Sequence, residues 1–475
     1  MSFYHNLSIV SRRFRLVSSS FLQGDGLQFA TVLPESRIKE AFDAEGLDFA
    51  QGDDEFYTPS LTLWASLSQT LHKDELRSYL AAVARVLVLL VVLGRKPCAK
   101  NSGAYCRARA KVSEVVLRRL TTEVAQGCEN AVPDHWLWHN RHVMLVDGTT
   151  ATMPDTQPNR DEYPQNVAQK PGLGFPILRL VVLLSLATAM VHDMALGPYA
   201  GKETGETALF RQLLAGVDPQ TIFLADRYYC SYFLIAMALL GRCDFVVRLH
   251  QRRKVDLSKT QRLGPDDHLI VWTRPTMPDW MDQACYEQIP ESMSLRLIKV
   301  QIQEPGFRVE SLWVVTTLVD AQKYPREDIA DLYRQRWMVE LDIRTIKKTM
   351  GMDILRCKSP AMVRQEMWTC LLAYNLIRKA LLEAAYETDH SPRELSFTTA
   401  MQTIAASLGT LAGADKELEA RLIAAQIASL TEQIVGDRPN RVEPRAVKRR
   451  WKPIALLTKP RAEARAELLR SASRS

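Results

Sequence analysis

The sequence predicts an α/β fold: a mixed sheet flanked by helices, interrupted by a β-rich insertion and bordered by helical N-terminal and C-terminal domains. Three observations predict it. From Arg37 to about Asn130, apolar residues recur every three or four positions, the period of helices that bury one face. Short Val- and Leu-rich runs then follow one another at 142–147, 177–186 and 189–196, after which helical and extended patterns alternate. Pro265, Pro275, Pro278 and Pro290 break the pattern that follows, before a further apolar strand and a long helix.

In chain order, Leu61, Trp64, Leu67 and Leu71, then Leu76, Leu80 and Val83, set the first helical period. A helix is predicted over 104–120 with Ser102 as its cap. At about 100° per residue, Arg107, Lys111 and Arg118 on that helix fall within roughly 40° of one another, as a basic stripe. The segment 142–147, His-Val-Met-Leu-Val-Asp, reads as a strand closing on a carboxylate, and 221–226, Thr-Ile-Phe-Leu-Ala-Asp, as another. Between them, 177–186 and 189–196 read as a buried hairpin. A helix follows over 204–215, with Glu206 in its first turns. Then come a helix at 231–240 and a strand at 244–249. Residues 269–273 and 295–302 are the strand-like pieces of the insertion, and 312–318 returns to the core. Tyr324-Pro325 opens a helix running to Gly351, with Glu327 and Asp328 suited to its positive end. Another helix follows Pro360 to about Tyr386, and the remainder is helical to about Gly436 and then basic. The expected division is 1–140, 141–249 with 312–388, 250–311, and 389–475.

At 475 residues the chain exceeds the roughly 250–300 that one core usually reaches. A composition of 47% hydrophobic and 24% charged residues argues against disorder. The eight cysteines include no C-x-x-C pair, which argues against a zinc ribbon and a secreted disulfide scaffold. No apolar run approaches the ~20 residues a membrane helix needs, and the amino terminus carries no cleavable signal pattern. A cytoplasmic chain without a membrane partner is expected. Net charge is +7, which matters where it gathers.

The chemistry gathers on the long helix. Tyr333, Arg336, Glu340, Arg344 and Lys347 project within about 80° of one another. One carboxylate thus stands among cations, either to bind a metal while its neighbours hold phosphate oxygens, or to pair with Arg336 or Arg344 at helical spacing. Asp147 and Asp226 each close an apolar run, as the start of a loop or as a carboxylate held at the sheet's edge. Together the three supply the hard oxygen ligands that paired divalent cations use in phosphoryl transfer.

Asp147-Gly148-Thr149-Thr150, Ala225-Asp226-Arg227-Tyr228 and Tyr333-x2-Arg336-x3-Glu340-x6-Lys347 resemble the signature regions of the DDE transposases of the insertion-sequence-four family. The last matches that family's Y-(2)-R-(3)-E-(6)-K pattern at every position. The resemblance spans about 140–390. It implies a ribonuclease-H-like core, with Asp147, Asp226 and Glu340 as catalytic metal ligands for two Mg²⁺, for which Mn²⁺ can substitute. It also implies that Tyr333, Arg336 and Lys347 touch the DNA backbone near the cut. The expected partners are double-stranded DNA, as terminal inverted repeats and target, and a second copy of the chain as a homodimer in a synaptic complex. A bacterial, nucleoid-associated location goes with that. Two alternatives stay open: a nuclease or resolvase of the same fold, and a non-catalytic DNA-binding derivative.

Further phosphate contacts are expected from Arg344, from Arg252, Arg253 and Lys254 after the strand at 244–249, from Arg107, Lys111 and Arg118, and from Lys448, Arg449 and Arg450. Trp272 and Trp280 are candidates for stacking on a displaced base, as some relatives do, or for packing. Gly197-x3-Gly201-Lys202 is one residue short of a phosphate-binding loop, and His135, His139 and His142 lack the partners of a zinc site.

Overall fold

The computed structural model describes residues 35–47, 56–72, 74–92, 100–301, 311–413, 416–435 and 458–472. Its strands are β1 (Val143–Thr152), β2 (Ile177–Ser185), β3 (Val191–Pro198), β4 (Ile222–Ala225), β5 (Asp244–Arg248), β6 (Gln261–Gly264), β7 (Asp267–Thr273), β8 (Ser292–Gln301) and β9 (Ser311–Thr316). They form a nine-stranded sheet in the order β3-β2-β1-β4-β5-β9-β8-β7-β6. β2 is antiparallel to both β1 and β3, whereas β1, β4 and β5 run parallel. This is the ribonuclease-H-like arrangement that the signatures imply.

Strand side chains alternate between two apolar clusters. Val143, Leu145, Ile222, Leu224 and Val246 enter one, and Met144, Val146, Phe223, Ala225, Phe245 and Val247 enter the other. Both faces are therefore covered, which explains why these strands read as near-continuous apolar runs. β1 does not stop at Asp147 as the sequence predicts. It continues through Gly148 to Thr152, held by register pairs such as Thr149 with Leu180 and Ala151 with Leu178. Its three threonines are β-branched and suit an extended backbone. The strands of the insertion prolong this sheet, since β8 pairs with β9 and β9 with β5.

The helices are α1 (Glu35–Ala44), α2 (Pro59–Thr70), α3 (Tyr79–Val92), α4 (Gly103–Ala110), α5 (Glu114–Glu129), α6 (Gln157–Glu162), α7 (Glu206–Leu213), α8 (Tyr232–Leu240), α9 (Gln283–Gln288), α10 (Arg326–Arg334), α11 (Met338–Arg344), α12 (Pro360–Ala385), α13 (Phe397–Gly413), α14 (Lys416–Glu432) and α15 (Arg461–Ala472). The central one is α12, buried along most of its 26 residues and packed on α5, α2, α13 and β3. Among the described residues no helix is long and apolar enough to cross a membrane.

Two predicted helices are broken. The one expected over 104–120 is α4 and α5, because Ser113 turns out of the helix and accepts a hydrogen bond from Val116 N at 3.2 Å as the cap of α5. Ser102 makes no such side-chain bond. Arg107 and Lys111 thus belong to one unit and Arg118 to another, where Asp193 holds its guanidinium at 2.9 and 2.5 Å; the single stripe does not form. The long helix from Pro325 is also interrupted, by a 3₁₀ turn at Gln335–Trp337 and a π turn at Thr345–Thr349, on either side of α11.

At the base of β1, Glu129 is 2% exposed, with His142 Nδ1 at 2.9 Å and His192 Nε2 in electrostatic contact at 3.5 Å. Burial would raise the Glu129 pKa, but the histidines outweigh it and hold the carboxyl well below the usual range. The bond to Glu129 raises His142 above 6.5, against a smaller opposing effect of burial. The histidine's contribution to stability is complete below 6.5 and is lost as pH rises through the raised value. The glutamate's is complete above 4.5 and is lost in acid. The urea midpoint should therefore fall more steeply between pH 6 and pH 8.5 in the wild type than in His142→Gln. Equal slopes would show that this pair does not govern the alkaline limb.

Candidate active site

β1 and β4 are parallel neighbours in the register Val146 with Ala225, so Asp147 and Asp226 occupy the next positions on adjacent chains. Neighbouring strands lie about 4.8 Å apart. By alternation both aspartates belong to the face of Leu145 and Leu224, the face on which α11 packs against β1. The location is the carboxyl edge of two parallel strands, beside the point where the sheet reverses strand order. β4 ends at Ala225 while β1 runs on beside β2 and meets a further neighbour only at Thr152, in a parallel bridge to Ile354, which leaves a gap beyond Asp226.

Asp226 is fixed by its own turn, its Oδ1 accepting from Tyr228 N at 2.7 Å. Asp147 accepts from Gly148 N at 2.8 Å. Burial pushes the Asp147 carboxyl up to about 7; the Gly148 amide and the Arg336 guanidinium oppose this, while the charges of Asp226 and Glu206 add to it. Like charges are thus pressed together beside the Arg336 guanidinium.

That cation links the helix to the strands. Arg336 donates to Glu340 Oε1 at 2.7 Å, while its field also reaches Asp147 and Tyr333. Of the two roles open to Glu340, pairing with Arg336 is the one its side chain displays. Tyr333 is buried at 6% exposure. Lys347 lies in the π turn, and its Nζ donates to Thr149 Oγ1 at 2.9 Å and Thr150 O at 2.8 Å, fastening the turn to β1 just past Asp147. Such turns are frequent at functional sites. Two residues beyond Glu340, Asp342 is 2% exposed and accepts from Arg378 at 2.9 Å and Arg393 at 2.7 Å, which fixes the rotation of α11.

Among the described residues no group of three or more His, Cys, Asp or Glu is gathered closely enough to hold a metal ion, and Glu340 is turned to Arg336. The chemistry of the donors nonetheless fits one. All are carboxylates, the ligands of hard divalent cations, and their crowded charge is what a dication neutralises.

The other candidates are scattered. Arg344, Arg252 and Lys254 are exposed. Arg253 lies over the Trp272 ring at 3.8 Å, and Trp272 is 6% exposed, so this tryptophan is packed and capped rather than presented to a base. Trp280 carries Arg211 on its face at 3.7 Å and meets the edge of Phe233. His139 pairs with Asp328 and His142 with Glu129, apart from each other. Lys448, Arg449 and Arg450 lie outside the described residues. Sequence reasoning missed two groups. Glu206, first residue of α7, lies against Gly148, and Tyr229 is buried beneath the same carboxylates.

The transposase DDE domain model matches residues 138–376, half of the chain. The chain is 29% identical over 400 residues to the transposase InsG of insertion sequence element IS4 from Escherichia coli K12, covering 82% of this chain and 86% of that protein. It is 28% identical over 135 residues to the putative transposase InsZ of the same organism, covering 28% of this chain and 44% of that one. A piggyBac transposase in a synaptic complex with hairpin DNA is similar at a TM-score of 0.42 and 12% identity, over 90% of this chain and 86% of that one. The chain therefore belongs to the transposase DDE-domain family, as a transposase of the insertion-sequence-four type, a DNA-binding enzyme that uses divalent metal to cleave DNA and transfer the cut strand.

Proposed function

We propose that Asp147, Asp226 and Glu340 are the catalytic carboxylates of this transposase and together hold two Mg²⁺ ions, with Mn²⁺ as a substitute. The observation that carries the reading is the parallel adjacency of Asp147 and Asp226 on the face covered by α11. Bound there, the cations supply activation of the attacking oxygen and stabilisation of the leaving one. The protein's own groups do the positioning. Asp226, locked by the Tyr228 amide, and Asp147, on a strand paired well past it, offer rigid oxygens. Glu340 joins them by releasing Arg336, whose guanidinium then becomes free for the scissile phosphate. Lys347 uses two of its three donors on β1, which leaves one for a backbone phosphate. Tyr333 is buried within the field of Arg336, so its contact with the DNA backbone in this reading is made beside that guanidinium. Arg344, Arg252 and Lys254 extend the cationic surface outward, and Arg107, Lys111, Lys448, Arg449 and Arg450 are further phosphate contacts in this reading.

The substrates in this reading are terminal inverted repeats and a target duplex, brought together by a homodimer at the nucleoid of a bacterial cytoplasm. The test is incubation of labelled terminal-repeat duplex and a target plasmid with the full chain and Mg²⁺. Strand-transfer products are expected, as is their loss in EDTA. Cleavage without joining would make the chain a nuclease, and a shift in mobility without cutting would refute catalysis.

A further inference from the structure

We propose that Glu206 is a fourth carboxylate of the metal centre, reaching it from the opposite face of the sheet, with the Tyr229 hydroxyl as its supporting donor. This rests on the triad reading above and adds to it a residue outside the signature. Gly148 follows Asp147 on β1, so alternation turns it toward the face of α7. A Cβ built there would stand 2.6 Å from Glu206 Cγ and 2.7 Å from its Oε1. The carboxylate therefore lies flat on the backbone next to Asp147, in space that exists only because residue 148 has no side chain. The early end of β4 leaves the edge open at this level, and the charge of Asp226 acts on Glu206 directly.

A second observation points to a missing ligand. Tyr229 is 0% exposed, and among the described residues its hydroxyl has no hydrogen-bond partner. It approaches Glu206 without reaching hydrogen-bonding geometry, and the charges of Glu206, Asp147 and Asp226 all act on it. A buried hydroxyl is seldom left unsatisfied, so this one is aimed at something that completes the cluster. The commonplace role for an acid at a helix start is to face the positive end of the dipole from solvent. Glu206 is instead half-buried beside two like charges, and burial together with the charge of Asp226 outweighs the neighbouring Arg179, which is directed to Thr204 O at 2.7 Å and to the Tyr199 ring. Such crowding is unfavourable unless a cation joins it.

The test is calorimetric titration of the full chain, free of DNA, with Mn²⁺, alongside its melting temperature without metal. Glu206→Gln should weaken Mn²⁺ binding about 10- to 100-fold, the scale for groups that tune a metal site. Its metal-free melting temperature should match or exceed the wild type's, since a repulsion is relieved. Asp226→Asn is the comparator. If it loses Mn²⁺ while Glu206→Gln binds as the wild type does, the role of Glu206 is overturned and the triad stands. If both bind normally, both assignments fall. Should Glu206→Gln melt early, Tyr229→Phe decides, because it leaves the carboxylate in place. A several-fold loss of Mn²⁺ affinity is expected, and unchanged affinity overturns the proposal.

Discussion

Asp226→Ala is expected to lose DNA cleavage and strand transfer by about 10²- to 10³-fold, as are Asp147→Ala and Glu340→Ala. That is the scale of removing one group that stabilises charge developing in a transition state. Affinity for terminal-repeat DNA should hardly change, because binding rests on cations meeting phosphates and the deleted groups are anions. A modest tightening would fit the same picture. The variants should also differ in stability. Asp147 and Asp226 repel each other in a buried setting that pushes the Asp147 carboxyl up to about 7, so Asp226→Ala should raise the metal-free melting temperature. Glu340→Ala removes the partner of Arg336 and should not. Gel assays of cutting and joining, beside mobility shifts on the same DNA, check the expectation. Cutting that survives in any of the three would remove that residue from the catalytic set.

Asp342→Ala should be the costliest single change to stability, about 3–5 kcal/mol, the usual penalty for breaking a buried ion pair on one side only. Asp342 is 2% exposed and shared by Arg378, itself 5% exposed, and Arg393, which also donates to Ser185 O and Leu186 O beside β2. Its loss strands guanidinium charge beneath the helix of Glu340. Asp331→Ala, in the preceding helix, is the control. That carboxylate is exposed and, among the described residues, pairs with Arg334, a contact worth under about 1 kcal/mol. Urea unfolding of both variants decides, and similar small losses would show that the buried network tolerates truncation.

The contrast between Asp331 and Asp342 also shows where sequence reading stops. Helical periodicity turns both away from Glu340, yet only tertiary packing decides that one meets water and the other two arginines. Near-continuous apolar runs made the core sheet and its two aspartates legible, because strands covered on both faces are apolar throughout and an acid at their end stands out. The true end of β1 was not legible, since Gly148 and three threonines read as a turn until β2 pairs with them. Periodicity likewise cannot register a 3₁₀ turn and a π turn that bracket α11 within one apparent helix. The break at Ser113 did carry a signal, a serine ahead of Glu114, but it was outweighed by the unbroken apolar period. Glu206 was hidden for another reason. An acid in the first turn of a helix is so common that only its contact with Gly148 marks it out.

The position of β9 has a temporal consequence. This strand fills the slot between β5 and β8, so the sheet remains split until everything from 249 to 310 has left the ribosome and β9 itself can dock. Closing so long an excursion carries an entropic cost and slows folding. The two aspartates can meet before that moment, whereas Glu340 emerges only after it. A nascent or prematurely terminated polypeptide ending before Glu340 would hold two of the three proposed catalytic carboxylates and lack the third, so cutting competence would wait for the later part of synthesis.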